Sequence, residues 1–152
     1  MKTLVWTTIT YGAKGWTLKS EEKKRIQAAE MFCYRRLMHV SWKDRKKNTD
    51  ILTELNTERE SFGAIVKRKM TYFGHMARNK NCSITKDIIQ GKIEGKRKKG
   101  RPRMAYMDNV RAWTGLAPHA AFHAAQDREA WRKECRRASR AANAHPDDAA
   151  DR

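Results

Sequence analysis

The chain has 152 residues, and its 34 lysines and arginines outnumber 17 aspartates and glutamates, which gives a formal net charge of +17 at pH 7. One domain with a small core fits this length and an apolar fraction of 39%, so we expect many helix faces to contact water. The charge favours nucleic acid over an anionic membrane, because no apolar run approaches the roughly 18 residues that span a bilayer and no signal peptide is visible.

Apolar residues at helical spacing dominate the sequence, and they predict an all-α protein, a small irregular helical bundle. Ser20 is predicted to cap the first long helix, with Glu21 and Glu22 at the positive end of its dipole. We expect the buried face of this helix to consist of Ile26, Cys33, Leu37 and Val40.

A short helix is predicted to start at Asn48 or Thr49, and a longer one follows it. Thr57 and Glu60 have the spacing of a capping box, so they mark the clearest helix start in the sequence. Behind them, apolar residues recur every three or four positions, at Phe62, Ile65, Val66, Phe73 and Met76.

The second half of the chain contains further helix signals. One short helix is predicted to end at Gly91 and another at Gly115, because glycine favours the left-handed conformation that closes a helix. Pro118 suits the first turn of the next helix, and Asp127 is predicted to cap the last one. The helix before Gly115 is predicted to bury Met104, Met107, Val110 and Trp113, and the last helix is predicted to bury Trp131, Cys135 and Ala138.

These signals divide the chain into four parts. They are a helical unit over 1–90, a basic linker over 91–103, C-terminal helices over 104–140 and a disordered tail over 141–152. The linker is rich in glycine and the tail has no apolar face, so neither is predicted to be helical.

The linker carries a dense run of positive charge. Gly100 lets its backbone approach a surface closely and Pro102 holds it extended, so Arg101 is predicted to project from a slim ribbon. Such a ribbon fits the narrow minor groove of A·T-rich duplex and resembles an AT-hook, with flanking lysines on phosphates. The same run suits a nuclear import signal, so a nuclear protein is expected. The cationic side chains are Lys96, Arg97, Lys98, Lys99, Arg101 and Arg103.

A second basic surface is predicted on the helices. Its members are Arg35, Arg36, Lys67, Arg68, Lys69 and Arg78. Tyr34, Trp42 and Tyr72 lie close to them in the sequence, and this mixture suits phosphate contact combined with base stacking. Tryptophans at helical positions are more often core residues, so we expect Trp42, Trp113 and Trp131 to be buried rather than to stack on bases.

No pattern in the sequence predicts catalysis, a metal site or a cofactor. Asp147 and Asp148 are the only adjacent aspartates, and they lie in the predicted tail rather than in a magnesium site. His75 and Cys82 form a single pair, whereas a zinc site needs four ligands at short spacing. The three cysteines lie far apart without a CxxC pair and are predicted to be reduced thiols. The chain is therefore predicted not to be an enzyme.

Five sequence blocks occur in a fixed order along most of the chain. They span residues 11–18, 31–52, 69–78, 91–103 and 125–132, and they include the strings YGAKGWTL, KMTYFGHMAR and AQDREAWR. In this order the blocks resemble the C-terminal region of the endonuclease and reverse-transcriptase polyprotein of non-LTR, LINE-type retrotransposons. They are similar to its RTE-like and craniofacial-development-protein-2-like members.

The resemblance implies a segment that follows the polymerase palm and begins in or near the thumb, with helices that grip template and product or target DNA. The palm aspartates and the endonuclease domain of that family have no counterpart in this chain, so the resemblance implies a truncated, non-catalytic remnant. Lys14 and Gly15 stand where relatives usually have a glutamate, and Tyr106 stands where they usually have tryptophan.

The function expected from the sequence is non-catalytic binding of DNA or structured RNA through the linker and the basic helix faces, with no membrane or small-molecule partner and no cofactor. One alternative is a nuclear structural or interaction protein that uses the basic run only as an import signal. The other alternative is a non-functional, truncated fragment of a retroelement.

Overall fold

The computed structural model describes residues 5–79, 83–92, 95, 100 and 104–144. This part of the chain contains eight α-helices, two short 3₁₀ helices and no strand, which confirms the predicted all-α class. In chain order the helices are α1 (Val5–Ile9), the first 3₁₀ helix (Ala13–Gly15), α2 (Ser20–Leu37), the second 3₁₀ helix (Trp42–Asp44), α3 (Asn48–Glu54), α4 (Ser61–Arg78), α5 (Ser83–Gln90), α6 (Tyr106–Thr114), α7 (Pro118–Ala124) and α8 (Arg128–Asn143).

Helix α4 is the central element. It packs along α8 and also contacts α2, α5 and the first 3₁₀ helix. The main core surrounds it and joins side chains from both sides of the predicted linker, such as Leu18 and Val110. A smaller cluster of Met31, Tyr34 and Ile51 lies between α2 and α3. Four apolar residues of α4 have no exposed surface: Ile65, Val66, Met70 and Phe73.

The N-terminus of α4 is capped by a carboxylate from α2. Glu30 is fully buried, and its Oε1 accepts hydrogen bonds from the backbone N–H groups of Glu60 and Ser61 at 2.9 and 3.1 Å. The Ser61 hydroxyl donates to Oε2 at 2.7 Å, and the Tyr34 hydroxyl donates to Oε1 at 3.3 Å. Burial, together with the charge of Glu30, raises the pKa of Tyr34 to about 12, so its hydroxyl stays a donor. The predicted capping box is therefore wrong: the N-cap is Glu60 rather than Thr57, because Glu30 satisfies the first N–H groups.

Two glycines allow α8 to lie directly against α4. A Cβ atom at Gly74 would come closer than 3.0 Å to the ring of Trp131, and one at Gly63 would come as close to the side chain of Asn143. Because glycine has no Cβ atom, two hydrogen bonds can form here. Trp131 Nε1 donates to the carbonyl of Met70 at 2.8 Å, and the Gly63 N–H donates to Asn143 Oδ1 at 2.7 Å. These two contacts, one near each end of α4, make the helices antiparallel.

The C-terminal end of α8 is held against α4. The helix ends at Asn143, and residues 145–152 lie outside the described residues, so the disordered tail stays a prediction. The Ser139 hydroxyl donates to the carbonyl of Gly63 at 2.8 Å, next to the Asn143 contact. The end of α8 is thus ordered by α4, a contact that no local sequence signal reveals.

The C-terminal end of α4 is also held by side-chain hydrogen bonds. Gln126 Nε2 donates to the carbonyl of Ala77 at 3.2 Å, and Arg78 Nη1 donates to the carbonyl of Ala125 at 2.7 Å. Since Ala125 and Gln126 form the turn between α7 and α8, this turn is fixed to the end of α4.

The buried face of α2 differs from the predicted one. Ser20 is the first residue of the helix rather than its cap, and the Lys19 N–H donates to the carboxylate of Glu22 at 2.8 Å. Leu37, predicted to be buried, is the last residue of the helix and is 56% exposed. Ile26, Cys33 and Val40 are half-buried. The buried residues are Gln27, Glu30, Met31 and Tyr34.

The other helix boundaries confirm local sequence signals. Helix α3 begins at Asn48, and α5 and α6 end just before Gly91 and Gly115, whose φ angles are 71° and 74°. Pro118 is the first residue of α7. Asp127 Oδ1 accepts two backbone N–H groups at the start of α8, at 2.8 and 3.1 Å.

The described helices are amphipathic. Helix α8 buries Trp131, Cys135 and Ala138, as predicted, and α6 buries Met107 and Val110. Trp113 is half-buried, and Met104 lies before α6 with 38% of its surface exposed. None of these helices is long and apolar enough to cross a lipid bilayer.

Replacing Glu30 by alanine removes the acceptor of three hydrogen bonds at the start of α4. We expect the free energy of unfolding to fall by about 3 kcal/mol, because each buried donor left unpaired costs roughly 1–3 kcal/mol. Glu30→Gln keeps one acceptor oxygen and should lose about half as much. Urea denaturation followed by circular dichroism measures both variants. The control is Glu21→Ala, an exposed carboxylate in the first turn of α2, and a loss at Glu30→Ala no larger than in this control would contradict the capping function.

Gly74→Ala tests the close approach of α8 to α4. The new methyl group displaces the Trp131 ring, so we expect a loss of about 2 kcal/mol in unfolding free energy and a changed indole emission. Gly15→Ala is the matched control, because no atom lies within 4 Å of its added Cβ, and it should stay within about 0.5 kcal/mol of the parent protein. Equal stability of the two variants would show that the helices are not in this contact.

Candidate functional site

An open cleft of about 720 Å³ lies between α4 and α8, and we call it the α4–α8 cleft. Two of its lining residues, Trp131 and Cys135, are buried. No aspartate or glutamate is among the described residues that line it. Its cationic lining consists of Lys67, Arg78, Arg128, Arg132 and Arg136, together with His75.

The side chains that line this cleft form two rows. Arg128, Arg132 and Arg136 are four residues apart on α8, so they lie on one side of the helix at steps of about 6 Å. Lys67 and His75 lie on one side of α4 in the same way. All five side chains are exposed, and none of the four that are permanently charged forms an ion pair with a described residue. Their charge is therefore available to a ligand.

The acidic residues of α8 lie away from the cleft. Glu134 accepts hydrogen bonds from the Arg137 guanidinium at 2.6 and 3.0 Å, and these bonds raise the pKa of Arg137. Glu134 lines a different cavity, with Leu116 and Asp127. One side of α8 therefore carries the Glu134–Arg137 ion pair, whereas the side that faces the α4–α8 cleft carries arginines that form no ion pair with a described residue.

A second cleft of about 570 Å³ lies on the other side of the exposed ridge of α4. It shares Lys67, Thr71 and His75 with the first cleft and adds Lys14 and Arg68. Positive charge therefore continues from α8 across α4 to the first 3₁₀ helix. We call the two clefts together the cationic surface.

Three of the six predicted helix-surface residues lie in the cationic surface: Lys67, Arg68 and Arg78. Arg68 also donates to the hydroxyl of Thr10, and Arg78 donates to the carbonyl of Ala125, so part of each guanidinium is engaged within the protein. Lys67 is fully available.

Arg35 and Arg36 line neither cleft. Arg35 Nη2 donates to the carbonyl of Lys46 at 2.7 Å and to Asn48 Oδ1 at 2.9 Å, and it fixes the loop that follows α2. Arg36 is exposed and lines a separate cavity, with Phe32 among its neighbours. The structure therefore does not bring this pair together with the basic residues of α4.

Lys69 is not on the surface, which corrects the prediction for this residue: its side chain has no exposed area. Its Nζ donates to the carbonyl of Trp16 and to Asn109 Oδ1, the latter at 2.7 Å. It also lies 4.1 Å from the centroid of the Tyr106 ring and 5.5 Å from that of Trp113. Two oxygens and two aromatic faces hold the ammonium group. No carboxylate of a described residue forms an ion pair with it. Burial lowers the pKa of Lys69 to about 8.

Asn109 connects this lysine to the N-terminal part of the chain. Its Oδ1 accepts the N–H of Leu18 at 2.8 Å, and its Nδ2 donates to the Leu18 carbonyl at 2.7 Å. The Tyr106 hydroxyl donates to the carbonyl of Lys69 at 3.2 Å, and burial raises the pKa of Tyr106, which keeps that proton in place. These bonds hold residues 16–18 and α6 on α4, and so they place Lys14 beside the second cleft.

Most of the basic linker lies outside the described residues. Of its predicted contacts only Gly100 is described, and it is exposed. The AT-hook interpretation stays a prediction. The predicted contacts that fall outside the described residues are Lys96, Arg97, Lys98, Lys99, Arg101, Pro102 and Arg103.

Sequence reasoning missed four members of the cationic surface: Lys14, Arg128, Arg132 and Arg136. A signal for the arginines was present, since they recur at four-residue steps while the acidic residues of the helix fall outside the row. Their position opposite Lys67 depends on the packing of α8 against α4, which no local pattern encodes.

The clefts contain charge but no arrangement typical of catalysis. Burial raises the pKa of the Cys135 thiol, which keeps it protonated and poorly nucleophilic. In the part of the chain that the structure describes, no group of three or more His, Cys, Asp or Glu side chains is placed to hold a metal ion. Cys82, Asp147 and Asp148 lie outside that part.

The tryptophans divide between core and surface. Trp131 is 3% exposed, which confirms the prediction that it is a core residue, and Trp113 is half-buried. The prediction for Trp42 is wrong, because this residue is 83% exposed.

The chain is similar to an uncharacterised transposon-derived protein of Caenorhabditis elegans, with 25% identity over 112 residues. The alignment covers 71% of this chain and 40% of that protein, so the chain spans well under half of the relative's length. No family model matches the chain, and no solved structure matches it. A transposon-derived relative agrees with the mobile-element part of the sequence resemblance. The closer resemblance to a reverse transcriptase stays a prediction.

Lys69→Met tests the buried charge through its pH dependence. An ordinary lysine has a pKa of 10.5, which we take for the unfolded chain, whereas the pKa of Lys69 in the folded protein is about 8. Between these values the unfolded state binds more protons, so the contribution of Lys69 to stability rises with pH. We expect the parent protein to gain about 2 kcal/mol relative to Lys69→Met between about pH 7 and about pH 9.5, measured by urea denaturation.

The control for this experiment is Lys67→Met, which removes an exposed lysine two positions away. Its stability difference from the parent protein should stay constant over the same pH range. A constant or shrinking difference for Lys69→Met would contradict a buried lysine with a low pKa.

Proposed function

We propose that this chain binds nucleic acid through its cationic surface and its basic linker and performs no catalysis itself. The observation that supports this proposal is the α4–α8 cleft, where five permanent cations from two helices line one space and no carboxylate from the described residues joins them. Like charges held together repel one another unless an anion lies between them. The arrangement therefore favours a polyanionic ligand.

The spacing of the cations favours a phosphodiester backbone over a single small anion. Lys67 and Arg78 on α4 are eleven residues apart, and Arg128 and Arg136 on α8 are eight residues apart, which corresponds to about 16 Å and about 12 Å of helix. A surface of that length meets several phosphates of one strand in succession. Arginine suits such contacts, because its planar guanidinium donates two parallel N–H groups to a phosphate.

The cationic surface is expected to contribute affinity rather than sequence preference, because phosphate contacts carry no direct information about bases. Any preference for A·T-rich duplex would come from the linker entering the minor groove around Arg101. The linker also fits a nuclear import signal, and we propose that the protein acts in the nucleus.

The transposon-derived relative and the order of the sequence blocks support assigning this surface to a mobile-element protein. We propose that the helices correspond to those that follow the polymerase palm in a non-LTR reverse transcriptase. The ligand of the cationic surface would then be template RNA or target DNA.

A triple variant tests the contribution of the arginine row. Arg128→Ala, Arg132→Ala and Arg136→Ala together remove three candidate phosphate contacts from the α4–α8 cleft. The log–log slope of affinity against salt should become shallower by about 3, from roughly 0.9 per lost contact on duplex DNA. Fluorescence anisotropy with labelled DNA and RNA duplexes, titrated across salt, measures the slope.

The control removes the same charge from outside the cationic surface. Lys24, Arg25 and Arg111 are exposed and line neither cleft, so their triple alanine variant should keep a slope close to that of the parent chain. If both triple variants lose the same amount, binding follows net charge alone. If the parent chain binds no nucleic acid at moderate salt, the proposed function is wrong.

A further inference from the structure

Trp42 is the most exposed of the five tryptophans, with 83% of its surface open to solvent. Trp16 is the next most exposed, at 39%, and Trp6 and Trp131 are buried. The Trp42 indole forms no hydrogen bond and no ring contact with any described residue. A large apolar ring in this position lacks the stabilisation that burial normally gives it, and most of its surface is accessible to a ligand.

The loop that carries Trp42 is held firmly in place. The Ser41 N–H donates to Asp44 Oδ2 at 2.6 Å across the second 3₁₀ helix. Arg35 fixes the following residues through the carbonyl of Lys46 at 2.7 Å, and the Lys46 ammonium pairs with Glu54 on α3 at 2.5 Å. The exposed indole is therefore presented by a braced loop rather than by a free one.

The backbone of this loop is strained on both sides of Trp42. His39 and Arg45 have φ angles of 53° and 47°, in the left-handed region that residues other than glycine seldom occupy. Such conformations persist only where surrounding contacts enforce them, and they concentrate at functional positions. His39 follows the C-cap of α2, and Arg45 is the C-cap of the second 3₁₀ helix.

The loop around Trp42 carries several exposed cations. Lys43, Arg45 and Lys47 are all exposed. The loop leads into α3, whose Thr49 lines the same cavity as Arg140. Arg140 is the next residue after Arg136 at the four-residue spacing of the row, and Glu58 and Glu60 line this cavity with it.

We propose that Trp42 stacks on an unpaired base of a single-stranded nucleic acid whose phosphates contact the exposed cations of the same loop. Stacking on tryptophan stabilises any base that exposes a face, and neighbouring cations hold the strand through its phosphates. A continuous duplex exposes no such face, so Trp42 favours single strands and junctions over duplex. This inference rests on the proposed function and adds a strand preference to it.

The test compares the full-length protein with Trp42→Ala, using a labelled single-stranded oligonucleotide and the same strand annealed to its complement. We expect Trp42→Ala to weaken single-strand binding about tenfold and to leave duplex binding within about twofold. Trp42→Phe should restore most of the loss, because a phenyl ring still stacks. The salt slope should not change, since no phosphate contact is removed.

Phe32→Ala is the matched control, because it removes another exposed aromatic ring, 63% exposed on α2, and it should leave both affinities unchanged. The inference is overturned if Trp42→Ala leaves single-strand binding unchanged, or if it weakens single-strand and duplex binding equally. If the triple arginine variant still weakens binding to both ligands in that case, the proposed function survives. If the parent chain binds neither ligand, the inference and the proposed function are both wrong.

Discussion

The buried ammonium group of Lys69 is the constraint on which the rest of the structure depends. A lysine can stay inside a protein without a carboxylate only if other groups replace its water, and here they are the carbonyl of Trp16, the amide oxygen of Asn109 and two aromatic rings. These groups come from separate segments, so all of them have to be in place together. One face of α4 is thereby fully enclosed, while Lys67 and Thr71, two positions away on either side, are exposed on the opposite face.

The ends of α4 follow the same principle, since their hydrogen bonds are completed by side chains distant in sequence. Glu30 and Asn143 satisfy its first N–H groups, and Gln126 satisfies a carbonyl at its last turn. Together with the contact of Trp131 at Gly74, these bonds set how α8 lies along α4. The cationic surface is a consequence of this packing, because the arginine row of α8 lies opposite α4 only when the two helices are aligned. A ligand then meets charges already in position, which lowers the cost of binding.

Much of the fold was predictable from the sequence, because many of its signals act within one helical turn. Asp127 and Pro118 mark helix starts through bonds and angles that involve their immediate neighbours. The buried polar groups were not predictable in this way: Glu30 and Lys69 carry charges that local patterns assign to the surface, and only tertiary partners make their burial possible. The candidate site divides similarly, since basic residues of α4 were recognised but the facing row of α8 was not. Trp42 was wrongly predicted to be a core residue, because a tryptophan is far more often buried than exposed to solvent.

Amide chemical-shift mapping of the full chain with a short nucleic-acid hairpin tests the central claim most directly, because it reports contact at once at every residue that has a backbone amide. The account predicts that the largest shifts fall on residues 67–78 of α4 and 128–140 of α8, in addition to any in the basic linker. Shifts confined to residues 91–103, with α4 and α8 unaffected at saturation, would contradict it. The helices would then be a scaffold for a basic linker, and the cationic surface would have no part in binding.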